Sequence, residues 1–221
     1  MSLPTFHNQD LLTTALTHRS ALNEHLSTSS ESNERLEFLG DAVLELITTK
    51  FLFSRLPHEQ EGMLTAYRSA LVKTTTLAAV SKSLNLGEKL FMSHGEEASG
   101  GRHNTGLLAN ALEAFIGGLY LDQGLDAVEV FLQEHLFPKF PEIQAKRLYK
   151  DAKSQLQELV QSKGMGAPEY IVIDESGPDH DRIFTVKVLI GNKEAGTGRG
   201  KSKQLAQQDA AQAVLEQTPQ K

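Results

Sequence analysis

Cysteine is absent from the 221 residues of this chain, and that absence limits the chemistry the protein can use. It excludes disulfide bonds and thiolate metal sites, and it is typical of proteins in a reducing compartment such as the cytoplasm. Long apolar runs are also missing, since none approaches the roughly 20 residues that a helix needs to cross a bilayer. The first residues, MSLPTFHNQD, have neither a basic start nor an apolar core. We therefore expect neither export nor a membrane partner.

An excess of basic residues is lacking as well, because the formal net charge is −6. Taken alone, this argues against a nucleic-acid partner. The charge is uneven, however. Residues 1–149 contain 12 Lys and Arg against 18 Asp and Glu, which gives −6, and residues 150–221 contain 10 of each, which gives zero. A polyanion would need a local basic patch, and the acidic residues of the first part need a separate role.

The spacing of apolar residues divides the chain into two parts. From about residue 8 to residue 140 they recur every three or four positions, which predicts helix after helix. After Pro138 and Pro141 the pattern changes. It predicts a helix at 152–163, strands at 169–173, 183–190 and 193–198, a turn at 176–181, and a helix at 202–216. We predict an all-α domain at residues 1–147 and a small α+β domain of order α-β-β-β-α at residues 148–221.

Three acidic residues share one side of a predicted helix. At about 100° per residue, Glu34, Glu37 and Asp41 fall within a sector of about 60°. A solvated acidic face is the simplest interpretation. Two details favour another one: no Lys or Arg lies three or four residues away on that face, and Phe38 lies on the same side rather than with the core leucines.

A second helix is apolar on nearly all sides, at residues 107–121, yet it contains Asn110 and Glu113 one turn apart. A buried carboxylate has to be paired, protonated or bound to a metal. A structural salt bridge is one possibility. The other is that this helix packs against the acidic side of the first helix, so that oxygen atoms converge on hard cations. Such ligands suit Mg²⁺ or Mn²⁺, and a pair of these ions can hydrolyse a phosphodiester.

Several segments resemble a known family. NERLEFLGDAVLEL at 33–46 resembles the signature of the ribonuclease III family, and EGMLTAYRSALV at 61–72 resembles the helix that follows it. NALEAFIGGLYLDQG at 110–124 resembles the last catalytic block of the family, and ALTHRS at 15–20 fits as well.

The resemblance implies an endoribonuclease that cuts double-stranded RNA by two-metal catalysis with Mg²⁺, for which Mn²⁺ substitutes. It implies a cytoplasmic homodimer that leaves short 3′ overhangs and processes ribosomal and messenger RNA. By motif position, Glu37, Asp41 and Glu113 are catalytic metal ligands, with Asn110 as a further ligand. Glu34 and Glu61 are supporting acids, and Phe38 enters a socket on the partner subunit.

One position departs from the family pattern. The family most often has Asp where this chain has Asn110, and an amide oxygen brings no charge to a metal site. We interpret Asn110 as natural variation and expect an active enzyme with weaker metal affinity.

Residues 150–221 resemble a double-stranded RNA-binding domain, most closely at GTGRGKSKQLAQQDAA, residues 196–211. Lys201 and Lys203 stand with backbone N–H groups at a helix start, which suits phosphates. By the resemblance, the first helix and the loop before the second strand meet two minor grooves. The predicted RNA-binding residues are Ser154, Gln157, Glu158, His180, Lys201, Ser202, Lys203 and Gln204. Gln204 stands where a third lysine is common.

Two alternatives remain at this point. The first is a non-catalytic dimer that binds double-stranded RNA and whose degenerate nuclease domain serves as a scaffold, and Asn110 supports it. Retention of Glu34, Glu37, Asp41, Glu61 and Glu113 weighs against it. The second is an acidic helical adaptor for a protein partner, which leaves the lysines near residue 202 unexplained.

Overall fold

The chain forms two compact units, Met1–Tyr149 and Lys150–Lys221, and each has its own hydrophobic core. The structure is a computed structural model that describes residues 3–24, 26–149, 152–178 and 182–217. Both predicted fold classes are confirmed: the first unit is helical, and the second has the order α-β-β-β-α. Within these described ranges, no helix has the length and apolar character needed to span a bilayer.

The first unit is built from helices of very different lengths. They are α1 (Gln9–Ala15), α2 (Arg19–Leu22), α3 (Glu34–Arg55), α4 (Glu61–Val72), α5 (Thr74–Ser83), α6 (Leu86–Lys89), α7 (His94–Ala98), α8 (Thr105–His135) and α9 (Phe140–Ala145), with 3₁₀ turns at Gly101–His103 and Phe137–Lys139. A one-residue parallel bridge joins Thr17 to Phe91. The two longest helices, α3 and α8, carry the acidic residues that the sequence singled out.

Helix α8 is the central element of the first unit. Leu112, Phe115 and Ile116 are fully buried, as expected for a helix that is apolar on nearly all sides. Its start is fixed by Asn104, whose Oδ1 accepts hydrogen bonds from the N–H groups of Gly106 and Leu107 at 2.8 and 3.2 Å. The helical run is interrupted at Gly124, which has φ 81° and ψ −175°. Asn110 and Glu113 therefore lie within the first three turns of α8, close to the end that Asn104 caps.

Helices α3 and α8 cross with their backbones in direct contact. A Cβ atom on Gly40 would overlap the carbonyl oxygen of Glu113 and would lie 2.8 Å from the nitrogen of Gly117. A Cβ atom on Gly117 would in turn overlap the carbonyl oxygen of Leu36 and would lie 3.0 Å from the nitrogen of Gly40. Only glycine at these two positions allows the helices to come this close. The crossing brings the first turns of α3 beside the first turns of α8.

The second unit packs two helices on a three-stranded antiparallel sheet of order β1-β2-β3. Its elements are α10 (Ala152–Ser162), β1 (Glu169–Ser176), β2 (Ile183–Ile190), β3 (Lys193–Gly200) and α11 (Lys203–Gln217). Two sequence predictions about its strands were too short. β1 continues to Ser176, which was predicted to start a turn, and β3 continues two residues beyond the predicted end at Gly198. Pairing with β2 extends both strands further than their local sequence indicates.

Alternate glycines on β3 allow the sheet to lie directly against α11. A Cβ atom on Gly198 would overlap the nitrogen of Ala210, and one on Gly200 would lie 2.6 Å from the nitrogen of Ala206. The carboxylate of Asp209 accepts a hydrogen bond from the N–H of Arg199 at 2.8 Å, which ties the same two elements. The glycines of the GTGRG segment thus serve the packing that positions the start of α11.

A methyl group at the α3–α8 crossing should damage the fold of the first unit. We expect Gly40→Ala to lower the free energy of unfolding by about 3 kcal/mol or more, because the opposing atoms belong to backbone and cannot move aside. The measurement is chemical denaturation followed by circular dichroism. Gly62→Ala is the matched control: Gly62 lies in α4 with no atom near its Cβ position, so alanine should be neutral or stabilise by up to about 1 kcal/mol. Equal stability of the two variants would contradict the crossing.

Candidate active site

The acidic side of α3 and the two polar residues of α8 face one cavity. Its volume is about 750 Å³. The predicted site residues that line it are Glu34, Glu37, Phe38, Asp41, Asn110 and Glu113. The two helices were predicted separately, so their convergence is a finding about tertiary structure. Glu61 lies elsewhere: it is exposed at the first residue of α4 and does not line this cavity.

The carboxyl of Glu113 has the most strongly shifted pKa in the cavity. Burial first, and then the negative charges of Asp41 and Glu37, raise the pKa of its carboxyl from 4.5 to about 7. Neighbouring carboxylates thus disfavour the charged form of Glu113, and no cation in the described part of the chain offsets their effect on this group. A strongly shifted carboxyl in a cleft is typical of a functional site rather than of a structural ion pair.

Asn110 acts directly on Glu37. The pKa of the Glu37 carboxyl is raised by burial and by the charge of Glu34, and a hydrogen bond from the side chain of Asn110 opposes that rise. An aspartate at position 110 would add another negative charge here, whereas the amide can donate an N–H to Glu37. Asn110 therefore relieves repulsion among the carboxylates of the cavity.

The donor atoms of the cavity fit a hydrated hard cation. Mg²⁺ and Mn²⁺ prefer carboxylate and carbonyl oxygen ligands, which Glu37, Asp41, Glu113 and Asn110 offer. No three His, Asp or Glu side chains form a ready-made metal cage in the described residues. Mg²⁺ usually keeps several of its waters and binds through one or two carboxylates. An open, acidic cavity with a few oxygen ligands is compatible with that mode of binding.

Sequence reasoning missed several residues that line the same cavity, namely His18, Arg19, Asn33, Thr74, Leu90 and Leu107. Arg19 is the most consequential, because its Nη1 lies 3.5 Å from Oε1 of Glu34. No Lys or Arg on α3 lies three or four residues from the acidic residues on this face. The cation comes instead from α2, which the fold brings next to α3. The ALTHRS segment contains Arg19 and was the available signal, although it assigned no role to that residue.

Phe38 is the most exposed large apolar side chain in the described residues, at 84%. It borders the acidic cavity and also a second groove of about 650 Å³. Apolar side chains of Leu11, Leu36, Leu39 and Leu121 line that groove. An aromatic ring so exposed beside an apolar groove indicates a contact surface rather than part of the core.

The predicted RNA-binding residues that the structure describes lie on α10 and at or just before the start of α11. Ser154, Gln157 and Glu158 are exposed on α10 at spacings that put them on one face. Lys201, Lys203 and Gln204 are exposed at the start of α11, and the half-buried Ser202 accepts a hydrogen bond at its Oγ from the N–H of Leu205 at 3.2 Å. His180 lies outside the described residues.

Family comparisons divide the chain as the fold does. Residues 8–140 match the family described as ribonuclease-III-like, and residues 152–218 match the double-stranded RNA binding motif. The chain is 49% identical to Ribonuclease 3 of Geobacillus kaustophilus (strain HTA426) over 212 residues, which cover 96% of this chain and 86% of that protein. It is 46% identical to Ribonuclease 3 of Enterococcus faecalis over 215 residues, covering 97% and 93% respectively.

A solved structure is also similar to the first unit. The nuclease domain of ribonuclease III from Campylobacter jejuni matches with a TM-score of 0.57 at 39% identity. The match covers 62% of this chain and 92% of that one. That nuclease domain has structural flexibility in a region involved in dimer formation.

The repulsion at Glu113 should appear as a pH-dependent loss of stability. Because the pKa of this carboxyl is raised in the folded protein, its protonation favours the folded state. This contribution to stability is fully present below about pH 4.5 and is lost as the pH rises through about 7. We expect Glu113→Gln, in the presence of a chelator, to gain stability over the unchanged protein as pH rises, by about 1–2 kcal/mol once solvent screening of this partly exposed group is included. Thermal unfolding between about pH 5 and about pH 8 measures this. A difference that does not vary with pH would contradict it.

Proposed function

Because this chain belongs to the ribonuclease III family and is an endoribonuclease of that type, we propose that it cuts double-stranded RNA in the cavity between α3 and α8. Mg²⁺ is the proposed cofactor, and Mn²⁺ is expected to substitute for it. The observation that carries the proposal is the convergence of Glu37 and Asp41 of α3 with Glu113 of α8 on one cavity. The raised pKa of Glu113, caused by burial and by Asp41 and Glu37, supports it. Three carboxylates that repel one another at neutral pH provide a site for divalent cations.

Each residue of the cavity has a separate role in the proposal. Glu37, Asp41 and Glu113 are the metal ligands, and Asn110 holds the carboxylate of Glu37 and offers its amide oxygen. Divalent ions bound there, as a pair, would activate water and neutralise charge on the scissile phosphate. Glu34 and Glu61 are supporting acids, and for Glu61 the support rests on family resemblance, since it does not line the cavity of the single chain.

The second unit is proposed to hold the RNA duplex, which agrees with its match to the double-stranded RNA binding motif. Ser154, Gln157 and Glu158 would face one minor groove, and His180 the other. Lys201, Lys203 and the N–H groups at the start of α11 would contact the phosphates between them, with Ser202 and Gln204 beside them. The proposed limits are 1–147 for the nuclease domain and 148–221 for the RNA-binding domain.

A homodimer is the proposed assembly, in which each subunit cuts one strand and short 3′ overhangs result. The exposed ring of Phe38 would enter the apolar groove beside Leu36 and Leu121 on a second copy. The groove has the volume and the apolar lining for an aromatic side chain, and Phe38 lies at its edge. The cytoplasmic location and the processing of ribosomal and messenger RNA stay predictions.

The proposed metal site makes cleavage depend on divalent cations and on Asn110. We expect the protein to cut a labelled RNA duplex with Mg²⁺ and not with a chelator. Asn110→Asp should need less Mg²⁺ for half-maximal rate, on the order of tenfold less, because it adds a charge beside the ions. The measurement is the initial cleavage rate across a Mg²⁺ titration. Equal rates of both proteins at every concentration would remove a special role for position 110.

Variants on α8 control that experiment. Glu113→Gln should lose cleavage, because the carboxylate is replaced by a neutral amide. Glu134→Gln should keep it, since that side chain is 66% exposed near the other end of α8 and outside the cavity. Duplex binding without any cleavage in Mg²⁺ would favour the non-catalytic alternative, in which the nuclease domain serves only as a scaffold for a dimer that binds RNA.

Removal of the Phe38 ring should separate the subunits. We expect Phe38→Ala to raise the dimer dissociation constant by about 100-fold, as for a central aromatic residue in an interface. Sedimentation velocity across a dilution series measures this constant. Phe53→Ala is the control, because Phe53 is a 72% exposed phenylalanine on the same helix that lies outside the groove. An unchanged constant in Phe38→Ala, or an equal change in both variants, would exclude the proposed knob.

A further inference from the structure

Lys203, the lysine at the first turn of α11, already has an anionic partner within the protein. Its Nζ lies 3.1 Å from Oε1 of Glu175, at the end of β1. The same ammonium group lies 5.5 Å from the centre of the Phe184 ring. A cation held between a carboxylate and an aromatic face occupies a restricted region rather than extending freely into solvent.

The sheet places Glu175 at this position. Glu175 pairs with Phe184 across β1 and β2, and Phe184 pairs with Gly200 across β2 and β3. Gly200 lies against the backbone of Ala206 in α11. The carboxylate, the ring and the first turn of α11 are thus fixed by backbone register, so their proximity is part of the fold of the second unit.

Glu175 also attracts a second cation. Nη1 of Arg182, the residue before β2, lies 3.7 Å from Oε2 of the same carboxylate. The same carboxylate therefore faces two positive charges beside the surface that is proposed to receive phosphates. Both members of the closer pair remain accessible: the side chain of Lys203 is 59% exposed and that of Glu175 is 39% exposed. A phosphate can therefore reach the ammonium group without any rearrangement of the core.

We propose that Glu175 sets the affinity of this enzyme for double-stranded RNA, because it holds Lys203 in an ion pair that a phosphate must replace. The proposal rests on the proposed role of Lys203 as a phosphate contact. RNA binding exchanges a carboxylate for a phosphate at Lys203 and leaves the carboxylate near the polyanion. Glu175 consequently weakens RNA binding. It also reduces the salt dependence of the affinity, because the carboxylate that loses Lys203 takes up counterions and so lowers the net number released.

The test uses the full-length protein with a chelator, so that the RNA stays intact, and a duplex of about 20 base pairs, longer than the roughly 16 that such a domain spans. Fluorescence anisotropy gives the dissociation constant at several KCl concentrations. We expect Glu175→Gln to bind about threefold more tightly, in line with the small energies of exposed ion pairs. The slope of log affinity against log salt should steepen by up to about one unit.

A matched control removes the same charge elsewhere in the unit. Glu194 also pairs with a lysine, Lys187, at 4.0 Å, but it lies on β3 about 20 Å along the strand from Gly200. Glu194→Gln should therefore change the affinity less than Glu175→Gln. An equal gain in both variants would show a general effect of net charge and would overturn the proposal.

A double variant isolates the pair. Lys203→Gln should weaken binding to all duplexes similarly and flatten the salt dependence, and adding Glu175→Gln to it should bring a smaller gain than the same change brings in the unchanged protein. An equally large gain with and without Lys203, or a Glu175→Gln variant that binds no more tightly, would overturn the role of Glu175. Unchanged binding by Lys203→Gln alone would instead overturn the phosphate contact on which the inference rests. Circular dichroism of each variant confirms that the fold is retained.

Discussion

The contact between Gly40 of α3 and Gly117 of α8 is the constraint on which the candidate active site depends. At this crossing a side chain of even one carbon would overlap the opposing backbone. Glu37 and Asp41 flank Gly40 along α3, and Glu113 precedes Gly117 by one turn of α8. Close approach of the two backbones therefore sets the separation between carboxylates that belong to distant parts of the sequence. The geometry of the cavity follows from helix packing rather than from flexible side chains reaching toward one another.

Bringing these carboxylates together costs stability, and the fold offsets that cost only in part. Asn110 donates to Glu37, and Arg19 approaches Glu34, but Glu113 keeps a pKa of about 7. A local arrangement that opposes folding is expected where function requires it. The second unit shows the opposite pattern, because Glu175 balances Lys203 and Arg182 on the surface proposed for RNA. Negative charge is thus left in excess in the cavity where cations are proposed to bind. Positive charge is partly offset on the surface where RNA is proposed to bind.

Sequence patterns predicted the elements well because each element is encoded by local periodicity. The shared side of Glu34, Glu37 and Asp41 and the polar intrusion of Asn110 and Glu113 are properties of single helices. Their convergence was a hypothesis, since no local rule states which faces of two helices meet. Arg19 could not be placed at the cavity for the same reason, and neither could the pairing of Glu175 with Lys203, which depends on strand register. The ends of β1 and β3 were underestimated because cross-strand pairing, rather than propensity, extends them.

The central claim is that carboxylates of α3 and α8 share divalent cations in one cavity. Anomalous diffraction from crystals of the protein containing Mn²⁺ tests it most directly, because the metal positions are observed independently of any assay. The account predicts anomalous peaks within about 2.5 Å of carboxylate oxygens of Asp41 and Glu113. Mn²⁺ bound elsewhere, with these carboxylates turned apart or neutralised by lysine and arginine, would contradict it.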